Sequence, residues 1–233
     1  MNKQCFLLIF AFNVSFGFSQ VKDIDGNVYK TIQLGTQRWL TKNLEVTTFR
    51  NGDPIPHIQD FDQWMDAGMA EEPAWCYYHN KTENGEEYGK LYNWYAVIDP
   101  RGIAPAGWHV SSSAEWLELI EMLGGEEQAA IKLKSVSLWK PPRYIENPHY
   151  NGNNCSGLNI KPSGGRFHQS YVDFFYHLGY VAFFWIPENS VLENHAMSFS
   201  VSDSGKLNTD GDYRNIGMAV RCVEDIKTAQ LDK

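Results

Sequence analysis

Ten residues near the C-terminus concentrate side-chain oxygen. Asp203-Ser204-Gly205 and Asn208-Thr209-Asp210-Gly211-Asp212 present Asp203, Asn208, Asp210 and Asp212 as hard donors. A calcium ion takes about six to eight oxygens from loops of this kind. The spacing is not that of a helix–loop–helix calcium site, because no Glu follows at the required offset. Asp, Asn and Gly are also the residues of ordinary hairpin turns, and turn chemistry is the preferred reading. Calcium is the one cofactor that the pattern leaves in play. Glu188-Asn189 adds a second carboxylate–amide pair a short way upstream.

Aromatic side chains form the other conspicuous set. Trp139, Tyr144, Tyr150, Tyr171, Phe174, Phe175 and Tyr176 stand in segments otherwise polar and rich in Pro and Gly. Flat rings on loops suit sugar faces or protein partners, since they offer large apolar area at little conformational cost. Rings that roof long loops from inside give the same pattern. Trp139, Tyr144, Tyr150, Tyr171, Tyr176, Glu188 and Asn189 are the candidate ligand contacts.

Motif-borne catalysis finds little support. The chain has no HExxH, CxxC, GxSxG or GxxxxGK[ST], and its seven His are scattered. His168 and His177 are nine apart, too loose for local metal ligation. His109, between Trp108 and Val110, reads as a structural group at the head of a following helix. Glu71-Glu72, Glu86-Glu87 and Glu126-Glu127 are adjacent in sequence, so each pair diverges. A glycosidase pair would need carboxyls facing each other across a cleft. No catalytic residue is assigned.

These residues need a frame. Val28–Leu34 alternates, with Val28, Lys30, Ile32 and Leu34 on one face. Gly35-Thr36 turns the chain into a return strand from Gln37 to Leu40. A further strand is expected over Leu44–Arg50, closed by Asn51-Gly52-Asp53-Pro54. Asp60 caps a short helix carrying Phe61, Trp64 and Met65 on one side. Trp75–Tyr78 and Leu91–Tyr95 read as aromatic strands or tight connectors around a polar loop, Asn80–Glu87. Ser112 and Glu115 form a capping box before Trp116, Leu119, Ile120 and Leu123, and Gly124-Gly125 ends that helix. A shorter helix covers Glu126–Lys134. Beyond Lys140 only short strands are expected: Gly157–Lys161, Gly165–Phe167, Tyr180–Ile186, Ala196–Val201 and Ile216–Val223. Helices flanked by antiparallel strand candidates predict an α+β fold.

The chain has 233 residues, 20 Lys and Arg against 28 Asp and Glu, and a formal net charge of -8. At roughly 150 residues per domain, and with neither repeat nor linker, one domain is expected. The acidic balance argues against binding to nucleic acid through basic charge. Lys3 followed by the apolar run Cys5–Phe12, then Gly17 and Ser19, describes a secretory signal peptide over 1–19, cut between Ser19 and Gln20. No later segment is long enough to span a membrane. The expected mature protein is extracellular or at the cell surface. It keeps Cys76, Cys155 and Cys222, of which one pair can form a disulfide. Residues 23–225 make the domain and 226–233 a polar tail.

Several blocks together resemble one family, the Fibrobacter succinogenes major paralogous domain. They are Asp25-Gly26-Asn27-Val28-Tyr29-Lys30-Thr31-Ile32, Gln37-Arg38-Trp39-Leu40 and Lys42-Asn43-Leu44; then Tyr88-Gly89-Lys90-Leu91-Tyr92-Asn93-Trp94-Tyr95-Ala96-Val97. Pro105-Ala106-Gly107-Trp108-His109-Val110 with Ala114-Glu115-Trp116, and Val220-Arg221-Cys222-Val223-Glu224-Asp225, complete the set. The resemblance implies a secreted or surface protein. Its fold would be akin to C-type-lectin-like and formylglycine-generating-enzyme-like proteins: a mixed, mostly antiparallel sheet with flanking helices and long irregular loops. Ala104 stands where the family often has Cys, so any bridge from that position to Cys222 is lost here or re-made through Cys155. The C-terminal half diverges most from the family's pattern.

The functional expectation is a non-catalytic binding module for polysaccharide or a surface protein, contacted through Lys140–Asn154 and Pro187–Asp212. An extracellular glycan- or protein-modifying enzyme is the alternative, and would need Cys155 and Cys222 to approach unbridged. A structural adhesion subunit is the third reading.

Overall fold

A computed structural model describes residues 19–141, 151–169 and 172–226. The fold is α+β, with two five-stranded sheets, one two-stranded sheet and five α-helices among these residues. The first sheet contains β1 (Gln20–Lys22), β2 (Val28–Leu34), β3 (Gln37–Leu40), β12 (Cys222–Glu224) and β6 (Trp108–Val110), in that order. All its pairings are antiparallel. The hairpin of β2 and β3 has the bounds its alternation predicts. Its inward face differs: Val28 and Lys30 are exposed, while Tyr29 and Thr31 are buried. The Tyr29 hydroxyl explains the inversion, since it donates to Asp23 Oδ2 at 2.7 Å and accepts from Glu45 N–H at 3.0 Å. Ile32 is buried too, on the opposite side. Tyr29 and Leu40 pack in one hydrophobic cluster, and Ile32, Trp39 and Val223 in another. The sheet is therefore covered on both faces.

The segment from Leu44 to Arg50 is extended but forms no ladder; one bridge, Thr48 to Pro54, closes its Asn-Gly turn. Helix α1 (Phe61–Met69) begins at Asp60, whose carboxylate accepts from Gln63 N–H. The aromatic segments expected as strands are only partly so. β4 (Trp75–Cys76) and β5 (Leu91–Tyr92) pair over two residues each. A 3-10 turn (Tyr78–Asn80) and helix α2 (Thr82–Tyr88) replace the predicted polar loop, and α3 (Trp94–Ile98) takes over after β5. Asn93 causes that switch. Its fully buried side chain accepts from Ala96 N–H at the N-terminus of α3 and from Ala74 N–H, and donates to Glu72 O. Such a cap stabilises by about 1 kcal/mol.

Helix α4 (Ser113–Met122) carries the predicted capping box, and α5 (Glu126–Leu133) follows it. Trp116 of α4 stacks on Phe199 at 4.2 Å and meets Trp39 at 4.6 Å, so the helix clamps the two large sheets together. The second sheet runs β11 (Leu207–Tyr213), β10 (His195–Ser202), β9 (Val181–Asn189), β7 (Ser163–Gln169) and β8 (Val172–Leu178). Its one parallel contact joins β7 to β9. Gly157–Lys161, expected as a strand, makes only the bridge from Ile160 to Lys134. Ile216–Val223 is likewise not one strand. Gly217, Met218 and Ala219 each bridge a different partner, Arg166, Tyr92 and Phe184, before the chain enters β12. These three residues stitch all three sheets into one body. No helix among the described residues is long and apolar enough to cross a membrane.

Candidate functional site

The rings that the sequence places on loops are brought together by strand and turn geometry. Phe174, Phe175 and Tyr176 lie on β8, which pairs with β7. A cleft of about 570 Å³ opens beside it, lined by Tyr78, His79, Lys140, Phe175, Tyr176, His177, Tyr180 and Asp203, among others. Its size is that of a small-ligand site.

Its floor is the buried ring of Tyr78, 5.3 Å from Phe175. His79 stands beside them, 5.1 Å from Phe175, on left-handed backbone with φ 54°. Asn84 Nδ2 donates to Tyr78 O and Asn80 Nδ2 to Gln59 O, which holds this turn in place. Behind Phe175, the Arg166 guanidinium lies 5.4 Å from its ring and 4.6 Å from Trp64, while donating to the carbonyls of Ile58 and Gln59. One buried cation thus ties α1 to the cleft wall.

The far wall is the turn after β8. His177 also has positive φ, 67°, and its ring sits 4.0 Å from Tyr176. Burial lowers its pKa, with the Asp203 carboxylate pulling the other way. Two glycines make the close approaches possible. A Cβ at Gly164 (φ +59°) would lie 2.5 Å from Tyr176 O and 2.7 Å from the Tyr78 ring. A Cβ at Gly179 (φ +88°) would meet the Lys140 stem at 2.8 Å. Lys140 N–H donates to Gly179 O at 2.7 Å, and its ammonium rests 5.3 Å from the Tyr180 ring. The cleft therefore presents ring faces, the Lys140 ammonium and the Asp203 carboxylate.

Of the residues singled out in the sequence, Phe175, Tyr176, His177 and Asp203 reach this cleft. Tyr144, Tyr150 and Tyr171 lie outside the described residues. Trp139 is no surface ring: it is buried, its indole N–H donates to Ser135 Oγ, and Lys134 Nζ sits 5.0 Å from its centroid. Glu188 belongs to a helix terminus instead of a binding loop. Its two carboxylate oxygens accept from Ser113 N–H and Ser113 Oγ–H at the start of α4. Asn189 Oδ1 accepts from Arg214 Nη2.

The oxygen-rich stretch is mostly strand. Asn208, Asp210 and Asp212 alternate along β11, so same-face neighbours are roughly 6.5 Å apart and three cannot close on one ion. Their oxygens are also engaged locally. Asp203 Oδ1 accepts from Ser204 N–H, Asp210 Oδ1 from Gly211 N–H, and Asp212 Oδ2 from Ser198 Oγ–H. Among the described residues no group of three His, Cys, Asp or Glu is placed to hold a metal ion. The disulfide expectation also changes. Cys76, Cys155 and Cys222 are thiols in the structure. Cys155 is exposed, while Cys76 and Cys222 are buried in different clusters.

The sequence profile of the Fibrobacter succinogenes major domain matches residues 32–224. The chain belongs to that family. No curated protein and no solved structure matches it. In the Fibrobacter succinogenes major domain seen here, the motif blocks build the frame. Tyr92 Oη donates to Val46 O, Trp94 Nε1 to Ile186 O, and Asn93 caps α3. Arg221, fully buried, donates to Asn43 Oδ1 and to the carbonyls of Leu40 and Leu158. The aromatic cleft takes no residue from those blocks. In the sequence Tyr78 and Tyr180 read only as strand residues and His177 only as too far from His168 for metal ligation, and His79 is passed over; the repeated Tyr-His pair at 78–79 and 176–177 is the available signal.

Proposed function

We propose that this chain is an exported, non-catalytic recognition module whose aromatic cleft takes a segment of polysaccharide. One observation carries the reading: the cleft combines the half-exposed ring of Tyr176 and the partly buried rings beside it with Lys140 and Asp203, a pairing of stacking surface and hydrogen-bonding groups of the kind sugars need. The signal-like stretch over 1–19 supports export, and a C-type-lectin-like class is what the family resemblance implies. The modifying-enzyme alternative needed Cys155 and Cys222 side by side; their unlike burial gives it no support. Docking of a surface protein on the same rings is the second reading, since Tyr176 is half exposed.

A glycan array probed with the mature protein, with and without calcium, tests the proposal. Binding to one polysaccharide class is expected, weakened about tenfold by Tyr176→Ala, as suits loss of a single stacking ring. A blank array, or Tyr176→Ala binding like the unmodified protein, sinks it.

A further inference from the structure

A second cavity, of about 590 Å³, opens where the end of α1 meets the β10–β11 side of the second sheet. Two opposite charges line it. Glu71, on left-handed backbone (φ 58°) just past α1, is exposed and contributes a carboxylate. Arg214 contributes a guanidinium held 4.7 Å from the Trp94 ring, with Nη2 donating to Asn189 Oδ1 at 2.8 Å. Its Nε is buried and has no hydrogen-bond partner among the described residues. The Tyr95 hydroxyl, on the same lining, feels both: burial and Glu71 raise its pKa, and Arg214, by its charge and a side-chain hydrogen bond, draws it back. Glu71 and Arg214 share this wall without forming an ion pair with each other among the described residues.

The back wall is fixed. His168 Nε2 and Asn215 Oδ1 are 2.8 Å apart; an amide oxygen only accepts, so His168 carries the proton there. Trp64 Nε1 donates to Asn215 O, and Gly68 leaves room for this side chain, since a Cβ there would lie 2.5 Å from Asn215 Cβ. The rim is apolar and planar. Tyr213 is 51% exposed and braced by His195 at 4.2 Å, and Met69 is 72% exposed.

We propose that this cavity is a second binding site, and that its ligand is an uncharged polyhydroxylated ring of pyranose type. Glu71 can only accept hydrogen bonds, and Arg214 can only donate them. A carboxylate that satisfied Arg214 would be repelled by Glu71, and an ammonium that satisfied Glu71 would be repelled by Arg214. A hydroxyl both donates and accepts, so neighbouring hydroxyls on one ring answer both groups at once. The Asn194 amide at the rim offers a donor and an acceptor more, and the Tyr213 face suits the ring's C–H side. The site is independent of the aromatic cleft and does not rest on that cleft's being a glycan site.

The full chain is titrated with the methyl glycosides of glucose, galactose, mannose and xylose, followed by tryptophan fluorescence and amide NMR. Methyl glucuronide and glucosamine serve as charged comparators. At least one neutral glycoside should saturate the protein. Glu71→Gln and Tyr213→Ala should each weaken it at least tenfold, and both comparators should bind more weakly. Glu71 and Tyr213 are surface residues, and thermal melting confirms that the variants fold. Four results overturn the proposal: no neutral glycoside saturates; the two variants bind like the unmodified chain; a charged comparator binds best; or binding is lost in Tyr176→Ala and kept in Glu71→Gln, which assigns it to the aromatic cleft.

Discussion

His109 Nε2 lies 2.8 Å from Glu115 Oε1, and the other ring nitrogen lies 2.7 Å from Asp225 Oδ1. Glu115 in turn closes the capping box, its Oε2 accepting from Ser112 N–H and Oγ–H. One imidazole thus fastens the chain beyond β12 to the first turn of α4. The two carboxylates lift its pKa to about 9, Glu115 contributing most, against the effect of burial.

The sign of the resulting pH dependence is fixed. The folded form holds its proton to about pH 9, the unfolded form only to about 6.5. The clamp's stabilisation is therefore complete below pH 6.5 and fades as pH rises toward 9. The ring is 40% exposed, so solvent screening keeps the effect below about 1 kcal/mol. Urea unfolding of the native chain and His109→Gln should differ at pH 6 and converge by pH 9.5. A constant difference across that range would exclude the clamp.

Arg221 predicts a much larger effect. Removing its guanidinium strands Asn43 Oδ1, Leu40 O and Leu158 O in the interior. At roughly 1–3 kcal/mol for each unsatisfied group, Arg221→Met should cost at least about 3 kcal/mol. Denaturant midpoints measure this; a loss under about 1 kcal/mol would show that water or relaxation replaces the three bonds.

Lys134 should behave in the opposite sense to His109. It is buried beside Trp139, and burial lowers its pKa to about 8. Between about pH 8 and 10.5 the unfolded chain holds more protons, so stability attributable to this residue rises with pH. The native chain should gain on Lys134→Met across that window by chemical denaturation. A flat difference would refute the assignment.

Gly164→Ala tests the floor of the aromatic cleft. Both its positive φ and the Tyr176 and Tyr78 contacts oppose a side chain, so a loss above about 1 kcal/mol is expected, by thermal melting. Unchanged stability would mean that the β7–β8 hairpin yields freely.

Local chemistry made much of the frame legible. The cap at Asp60, the capping box at Ser112, the β2–β3 hairpin and the α4–α5 pair are written in contiguous residues. Elements decided at a distance were not. Nothing near Asn93 in sequence announces that its side chain must meet Ala74 and Glu72, so α3 reads as more strand. β11, with Asn, Asp and Gly, has turn composition; its pairing with β10 overrides propensity. The same holds for the clefts. Tyr176 and Asp203 could be picked by type, but His79, His177 and Arg214 become site residues only through backbone twists and a tryptophan far along the chain.

The order of the first sheet has a consequence for biogenesis. β12 lies between β3 and β6, and the stitch at Gly217–Ala219 directly precedes it. β3 and β6 must wait for a segment made much later in the chain to fill the gap between them. A chain that has emerged only as far as β6 therefore lacks the seam of its sheet, and the sheet closes only once β12 is free to enter.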